Sequence, residues 1–410
     1  MNSNTDYQWC ELPSGLRVVY RYSNSNVSYC GFVVDAGTRD EEQGKEGLAH
    51  YVEHMLFKGT AKHKAIHILN CMEHVGGEIN AFTSKEETVI YTVSLEPDLK
   101  RAVTLMSDII QNSSLPEVES VKEKEVIIDE INSYLDNPAE FIYDEFENII
   151  YRDHDLGHNI LGDTDSLNRI STSDGLSFIS NFYNQKNMVF FFSWKTKFEK
   201  VVKIVSSATE NIRTNSVELK RKTPSVITRF DKHEECDNYQ SHVIIGGRCY
   251  SLYDQERFPL FLLNNIVGGP GMNSLLNVAL REKRGYVYTV EANVTNYSDT
   301  GVFTIYFGTE RKNVNRCLDI VRKQLNGLKT KELSELKLND AKRQYIGQLT
   351  IGRENRENLA IASGKSLLRY GRCSTLAETI QRIESITTKD IIECANAIYS
   401  DDNLSTLILS

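Results

Sequence analysis

The stretch EGLAHYVEHMLFKGT, residues 46–60, sets two histidines and a glutamate within five positions of an otherwise apolar segment. His50 and His54 are four apart. On a helix they stand one above the other on one face, and their ring nitrogens can converge on a single ion. Glu53 borders that face without having to be a ligand. Leu48, Ala49, Val52, Leu56 and Phe57 turn the same helix toward a core, where an uncompensated polar group costs on the order of several kcal/mol. Two imidazoles there require a partner. Imidazole nitrogen suits zinc, and a carboxylate beside a bound water can take its proton as it attacks a carbonyl. The other pair at this spacing, His63 and His67 in KHKAIH, reads as surface chemistry unconnected with a site.

Catalytic zinc normally keeps three protein ligands and one open position. The helix expected over 118–138, VESVKEKEVIIDEINSYLDNP, offers Glu123, Glu125, Asp129 and Glu130. Glu123 and Glu130 are seven apart and share a face with Ile127 and Tyr134, whereas Glu119, Lys122 and Glu125 read as solvated charges. Spacing alone does not choose between Glu123 and Glu130.

Outward from this segment the chain is organised as a repeat. With 410 residues it exceeds one ordinary core. Strand-like runs open each half, at 16–22 and 30–37 and again at 241–251. A shift of 211 residues lays FVVDAG (32–37) on VIIGGR (243–248), and the same shift lays NAFTSKEETVIYTV (80–93) on the segment from 291. Long amphipathic helices follow at 99–113 and 314–328. The expected architecture is α+β: two homologous domains of sheet plus helices related by internal duplication. The expected boundaries are 1–211 for the metal-binding domain, 212–230 for a polar linker and 231–410 for the second domain. The same offset puts Phe261, Asn264, Asn265 and Ala341 at the places of His50, Glu53, His54 and Glu130, so the second copy is expected to bind no metal.

Composition narrows the class. At 40% hydrophobic and 25% charged the chain has ample material for packed cores and no signature of disorder. A formal charge of −9 gives no electrostatic reason to bind nucleic acid or an anionic membrane. The eight cysteines form no ladder of spacings and read as reduced thiols. No window approaches the ~18 apolar residues of a membrane span, and the N-terminus has no targeting pattern, so a cytoplasmic protein is expected.

HYVEH is the reversed zinc motif of the inverzincins, and its surroundings resemble the pitrilysin and mitochondrial processing peptidase family, over essentially the whole chain. The resemblance implies a third ligand about 76 positions beyond the last motif histidine, which is Glu130, with Glu123 supporting the site. It implies that GGEINAFTSKEETVIY (76–91) is an edge strand whose Asn80, Ala81 and Phe82 hold substrate backbone. It also implies that Arg281 and Tyr288, in LREKRGYVYTV (280–290), reach the substrate and the developing oxyanion; Tyr286 departs from the family's smaller aliphatic residue there.

A zinc endopeptidase follows as the expected activity, with one Zn2+ per chain on His50, His54 and Glu130, a zinc-bound water as nucleophile and Glu53 as its base. Peptides or unfolded polypeptide would bind as an added strand inside a closed chamber. Members of the family build that chamber from four copies of the repeat; this chain has two, so a homodimer is expected. The alternatives are a peptidase that trims targeting segments and a non-catalytic partner subunit.

Overall fold

The computed structural model describes residues 2–4, 7–95, 98–215, 219–225, 229–236 and 239–410. Within the expected linker, residues 216–218 and 226–228 lie outside these. The chain forms two compact units, the first made of residues 1–132, 158–221 and 352–375, the second of 133–157, 222–351 and 376–410. They are therefore not two contiguous halves: residues 133–157 and 352–375 each belong to the unit built mainly by the other half.

The first unit holds a seven-stranded sheet of β1 (Asn2–Asn4), β2 (Tyr7–Glu11), β3 (Arg17–Tyr22), β4 (Val27–Val34), β5 (Glu78–Thr83), β6 (Thr88–Leu95) and β7 (Met188–Trp194), in the order β1-β2-β3-β7-β4-β6-β5. β3 and β7 pair in parallel and the other neighbours antiparallel. Side chains alternate between the faces as a pleated strand requires. Val18, Tyr20, Phe32, Phe190 and Phe192 enter one core, and Val19, Val33, Val89, Val189 and Phe191 enter a second core on the opposite face. Because both faces are covered, β7 reads as the apolar run MVFFFSW, interrupted only by Ser193, instead of an alternation.

The helices of the first half are α1 (Leu48–Leu56), α2 (Ala65–Glu73), α3 (Leu99–Asn112), α4 (Glu117–Leu135), α5 (Pro138–Ile150), α6 (Thr164–Arg169), α7 (Thr172–Phe182) and α8 (Phe198–Ala208). The helix expected to run to 138 stops at Leu135. Asn137 precedes Pro138 and is pushed out of helical conformation, while Pro138 opens α5, where its missing N–H costs nothing.

The second unit repeats the plan with β8 (Asp231–Glu234), β9 (Ser241–Cys249), β10 (Val287–Asn296), β11 (Gly301–Thr309) and β12 (Ser405–Leu409), ordered β10-β11-β9-β12-β8. The helices of this half are α9 (Arg257–Gly268), α10 (Val314–Thr330), α11 (Glu335–Gly352), α12 (Arg356–Tyr370), α13 (Leu376–Glu384) and α14 (Thr388–Ile398). The offset of 211 carries α1 to 259–267, inside α9, and β5 to 289–294, inside the edge strand β10.

The exchanged segments explain why each sheet is buried twice. α12 lays Ala360, Ile361, Leu367 and Leu368 on the second face of the first sheet. α5 lays Ile142, Phe146, Ile149 and Ile150 on Ile244, Val302 and Leu407 of the second sheet. The described part of the linker is not loose: Arg221 donates from Nε and Nη2 to both oxygens of Asp40, at 2.9 and 2.7 Å, inside the first unit. All eight cysteines are unpaired. Among the described residues no helix is long and apolar enough to cross a membrane.

Candidate metal centre

α1 is fixed at its N-terminus before it contributes any chemistry. Its N-cap, Gly47, has φ of 91°, a conformation that favours glycine, and a Cβ there would meet the Leu161 carbonyl oxygen at 2.6 Å. The Glu41 carboxylate accepts from the backbone N–H of Gly47 at 2.9 Å and of Ala49 at 2.7 Å, satisfying free donors of the first turn. His158 Nε2 lies 3.0 Å from the same carboxylate. Tyr51 shares a hydrogen bond of 2.7 Å with Ser120, tying α1 to α4. Leu48, Ala49, Tyr51, Val52, Met55 and Leu56 are all buried, so the helix cannot roll about its axis.

That anchoring presents His50 and His54 to α4. Glu130 Oε2 stands 3.7 Å from His50 Nε2 and 3.5 Å from His54 Nε2. Among the described residues His50, His54 and Glu130 are the one group of three or more His, Cys, Asp or Glu side chains that could hold a metal ion, with ligand atoms all within 4.8 Å of one another. The donor set fits zinc, which takes imidazole nitrogen and carboxylate oxygen as ligands. Glu123, two turns before Glu130, lies behind this group. Its Oε2 is 3.1 Å from His54 Nδ1, and its Oε1 is 2.5 Å from Lys58 Nζ.

The electrostatics separate the two histidines. Burial, reinforced by the neighbouring His54, holds His50 down to about 4, so it is a neutral imidazole with a lone pair at pH 7. Burial also pulls on His54, but hydrogen bonds to Glu130 and Glu123 outweigh it and raise its pKa. Glu130 is correspondingly lowered, chiefly by its bond to His54. Both shifts come chiefly from the one contact between His54 and Glu130, two of the three groups that could hold a metal ion. Burial pushes the Glu53 carboxyl above the usual range against the pull of Thr83 and His54. Glu53 Oε2 and His50 Nδ1 are buried with no hydrogen-bond partner among the described residues.

β5, against which α1 packs, is the terminal strand of its sheet. Asn80 is exposed, Ala81 and Phe82 half-buried, and Lys365 Nζ lies 4.9 Å from the Phe82 ring centre. The structure thus brings His50, Glu53, His54, Glu123 and Glu130 together and puts Asn80, Ala81 and Phe82 on the strand beside α1. Arg281 and Tyr288 lie in the second unit, on a π-helical turn (Asn277–Glu282) and on β10. They are brought to each other, the guanidinium carbon 5.4 Å from the ring centre, with Tyr288 81% exposed.

In the second unit α9 carries Phe261, Asn264 and Asn265 where α1 carries the motif, and Asn264 Nδ2 donates to the Ala292 carbonyl at 2.7 Å. Sequence reasoning missed Lys58, Glu41 and His158. Lys58 was available in the opening stretch, HMLFKGT, one turn past His54; the other two leave no signal at any helical spacing.

Comparison with known proteins bears on this geometry. Residues 17–164 match the family described as "Insulinase (Peptidase family M16)", and residues 169–345 match "Peptidase M16 inactive domain". A protein of Rickettsia bellii named as a zinc protease is 30% identical over 97% of this chain and 96% of its own length. The protein named zinc protease YmxG of Bacillus subtilis is 27% identical over 96% of each chain. Two solved structures share the fold. One is described as a peptidase M16 inactive domain from Pseudomonas fluorescens, with 19% identity and a TM-score of 0.91 over 98% of this chain and 97% of that one. The other is a protease from Helicobacter pylori, with 22% identity and a TM-score of 0.90 over 99% of each. The match to the inactive-domain family falls largely on the half whose equivalent helix has lost the motif. With two family matches covering most of its length and a relative aligned almost end to end, the chain belongs to the M16 family of peptidases.

Proposed function

We propose that this protein is a zinc-dependent endopeptidase acting on peptides or unstructured polypeptide segments, and the observation that carries the reading is the convergence of His50, His54 and Glu130 with Glu53 on the adjoining turn. Zinc, when bound there, supplies a Lewis acid that acidifies water and polarises a peptide carbonyl. His50, held neutral by burial, and His54, oriented by Glu123, offer their Nε2 atoms to it, and Glu130 offers Oε2. Glu53 accepts a proton from the attacking water and returns it to the leaving amine.

The peptide lies along β5 as an additional strand, gripped through its main chain; Asn80, Ala81 and Phe82 line its path. Such a site takes extended segments, because a folded protein has no free strand to offer. Arg281 and Tyr288 act, on the family resemblance, as donors to the oxyanion. A pair of chains, each with two copies of the repeat, forms the working enzyme, and the eight unpaired cysteines support a cytoplasmic location.

The test pairs metal content with turnover on a quenched fluorescent peptide, for the wild type and Glu53→Gln. The expected outcome is about one zinc in each and activity lower by about 10²–10⁴-fold or more in the variant. Equal inertness of both across a broad peptide library would favour a non-catalytic binding role. Light scattering after size exclusion tests the dimer; an active monomer would remove it.

A further inference from the structure

His50 and His54 are aimed by different means. His54 has its Nδ1 3.1 Å from the Glu123 carboxylate, whereas His50 Nδ1 is buried with no hydrogen-bond partner among the described residues. The His50 ring therefore takes its place from the backbone that carries it and from the packing around it. That backbone is the first turn of α1, three residues after the N-cap Gly47, and terminal turns are where a helix frays. A ligand in that position needs its turn held from outside.

Gly47 has no side chain to cap the turn, and Glu41 does so from six positions upstream, with its own side chain only 2% exposed. Its Oε1 accepts from the Ala49 N–H at 2.7 Å, and its Oε2 accepts from the Gly47 N–H at 2.9 Å and faces His158 Nε2 at 3.0 Å. A carboxylate only accepts, so Nε2 of His158 carries the hydrogen. His158 is secured in turn: its carbonyl accepts from Nζ of the buried Lys85, and further along the same segment Ser166 Oγ donates to the Glu46 carbonyl at 2.8 Å. The first turn of α1 is thus fixed to a distant segment of the first unit, and not only to its own chain neighbours.

We propose that Glu41, gripped by His158, is the positioning residue of the His50 ligand: it keeps the first turn of α1 in place so that Nε2 of His50 stays convergent with Nε2 of His54 and with Glu130. Glu123 orients one imidazole directly; the Glu41–His158 pair orients the other through the backbone. Neither Glu41 nor His158 belongs to the group that could hold a metal ion, so the pair acts through α1 alone. Its effect on turnover rests on the peptidase reading; its effect on metal affinity rests only on the cluster of His50, His54 and Glu130.

Competition with a chromophoric chelator on the full chain measures zinc affinity, beside kcat, KM and the Tm of the zinc-free protein. Glu41→Gln, which has one accepting oxygen in place of two, and His158→Leu are expected to weaken zinc binding by roughly tenfold or more, the range of groups that orient a ligand. With zinc saturating, kcat should fall several-fold while KM stays within about twofold, because the peptide is held by β5. His158→Gln, whose amide offers a donor near the place of Nε2, should restore most of what His158→Leu loses. A lowered Tm with wild-type zinc affinity and kcat in the folded variants would make the pair a plain stabilising contact and overturn the proposal. If Glu41→Gln does not fold, the two His158 variants decide it. Failure of the peptidase reading looks different: a wild type that binds zinc and cleaves nothing, in which the zinc affinities of the variants still decide the role of the pair. A wild type that takes up no zinc overturns both.

Discussion

His54 Nδ1 stands 3.1 Å from Oε2 of the buried Glu123, and Lys58 holds that carboxylate's other oxygen at 2.5 Å. With Nδ1 engaged, His54 has only Nε2 to present toward Glu130 and a metal. Groups that orient a histidine ligand in this way typically carry about 10–100-fold of metal affinity. Glu123→Gln is therefore expected to weaken zinc binding by about that factor, measured by competition with a chelator. An unchanged affinity would mean that packing alone orients the ring.

Lys58 offers a related but separable test. Lys58→Met leaves the buried Glu123 without its charged donor, a loss of about 1.5–3 kcal/mol in stability for a hydrogen bond between charged groups. Lys58→Arg should recover most of it. Denaturant unfolding of the three proteins reads the difference; equal midpoints for Met and wild type would show that water replaces the ammonium.

The pH dependence of turnover follows from Glu53. The group must be ionised to accept a proton, and burial raises its pKa. As pH falls toward its pKa the protonated fraction grows, so kcat/KM should drop on the acid side, with burial moving that limb up and the bound divalent ion moving it down. Zinc is kept saturating, so that loss of metal does not set this limb. A kcat/KM that stays flat as pH falls through the carboxylate range would remove Glu53 as the base.

Stability in acid should depend on Asp174, in the first turn of α7, which packs on α1. Its carboxylate accepts from the Ser171 N–H at 2.8 Å and from Lys45 Nζ at 2.7 Å. Burial opposes ionisation, but these bonds prevail and hold the carboxyl at about 2, against about 3.9 in an unfolded chain. A depressed folded value means that the stabilisation is complete above about 3.9 and is lost as pH falls toward about 2. Asp174→Asn at neutral pH should cost about 1 kcal/mol, a few degrees of Tm, and should flatten this acid dependence.

Two mid-helix glycines should respond in opposite directions. In α12, a Cβ on Gly364 would lie 2.8 Å from Val33 Cγ2 and 2.9 Å from Phe191 Cδ1, so Gly364→Ala must push the helix off the sheet, at about 1–3 kcal/mol. In α11 a Cβ on Gly347 meets nothing within 4 Å, and Gly347→Ala should stabilise by about 0.5–1 kcal/mol through the unfolded chain. Thermal unfolding distinguishes them; loss of stability at Gly347 would mean that α11 requires the smaller residue.

The amino-acid sequence alone determined the local matters: the helix bearing His50, Glu53 and His54, the strands β3, β4 and β9, and the 211-residue echo between α1 and α9. These follow from periodicity and residue type, which act over a few turns of chain. Spacing left Glu123 and Glu130 indistinguishable, because both sit on one face of α4; the fold separates them, Glu130 reaching Nε2 of both histidines and Glu123 reaching Nδ1 of His54 and Lys58. Only the tertiary structure assigned α5 to the second unit and α12 to the first, since an apolar helix face states that it must be covered but not by which sheet. It likewise found Glu41 and His158 for α1 across long stretches of chain, because a buried charge is matched by whatever the fold brings within reach.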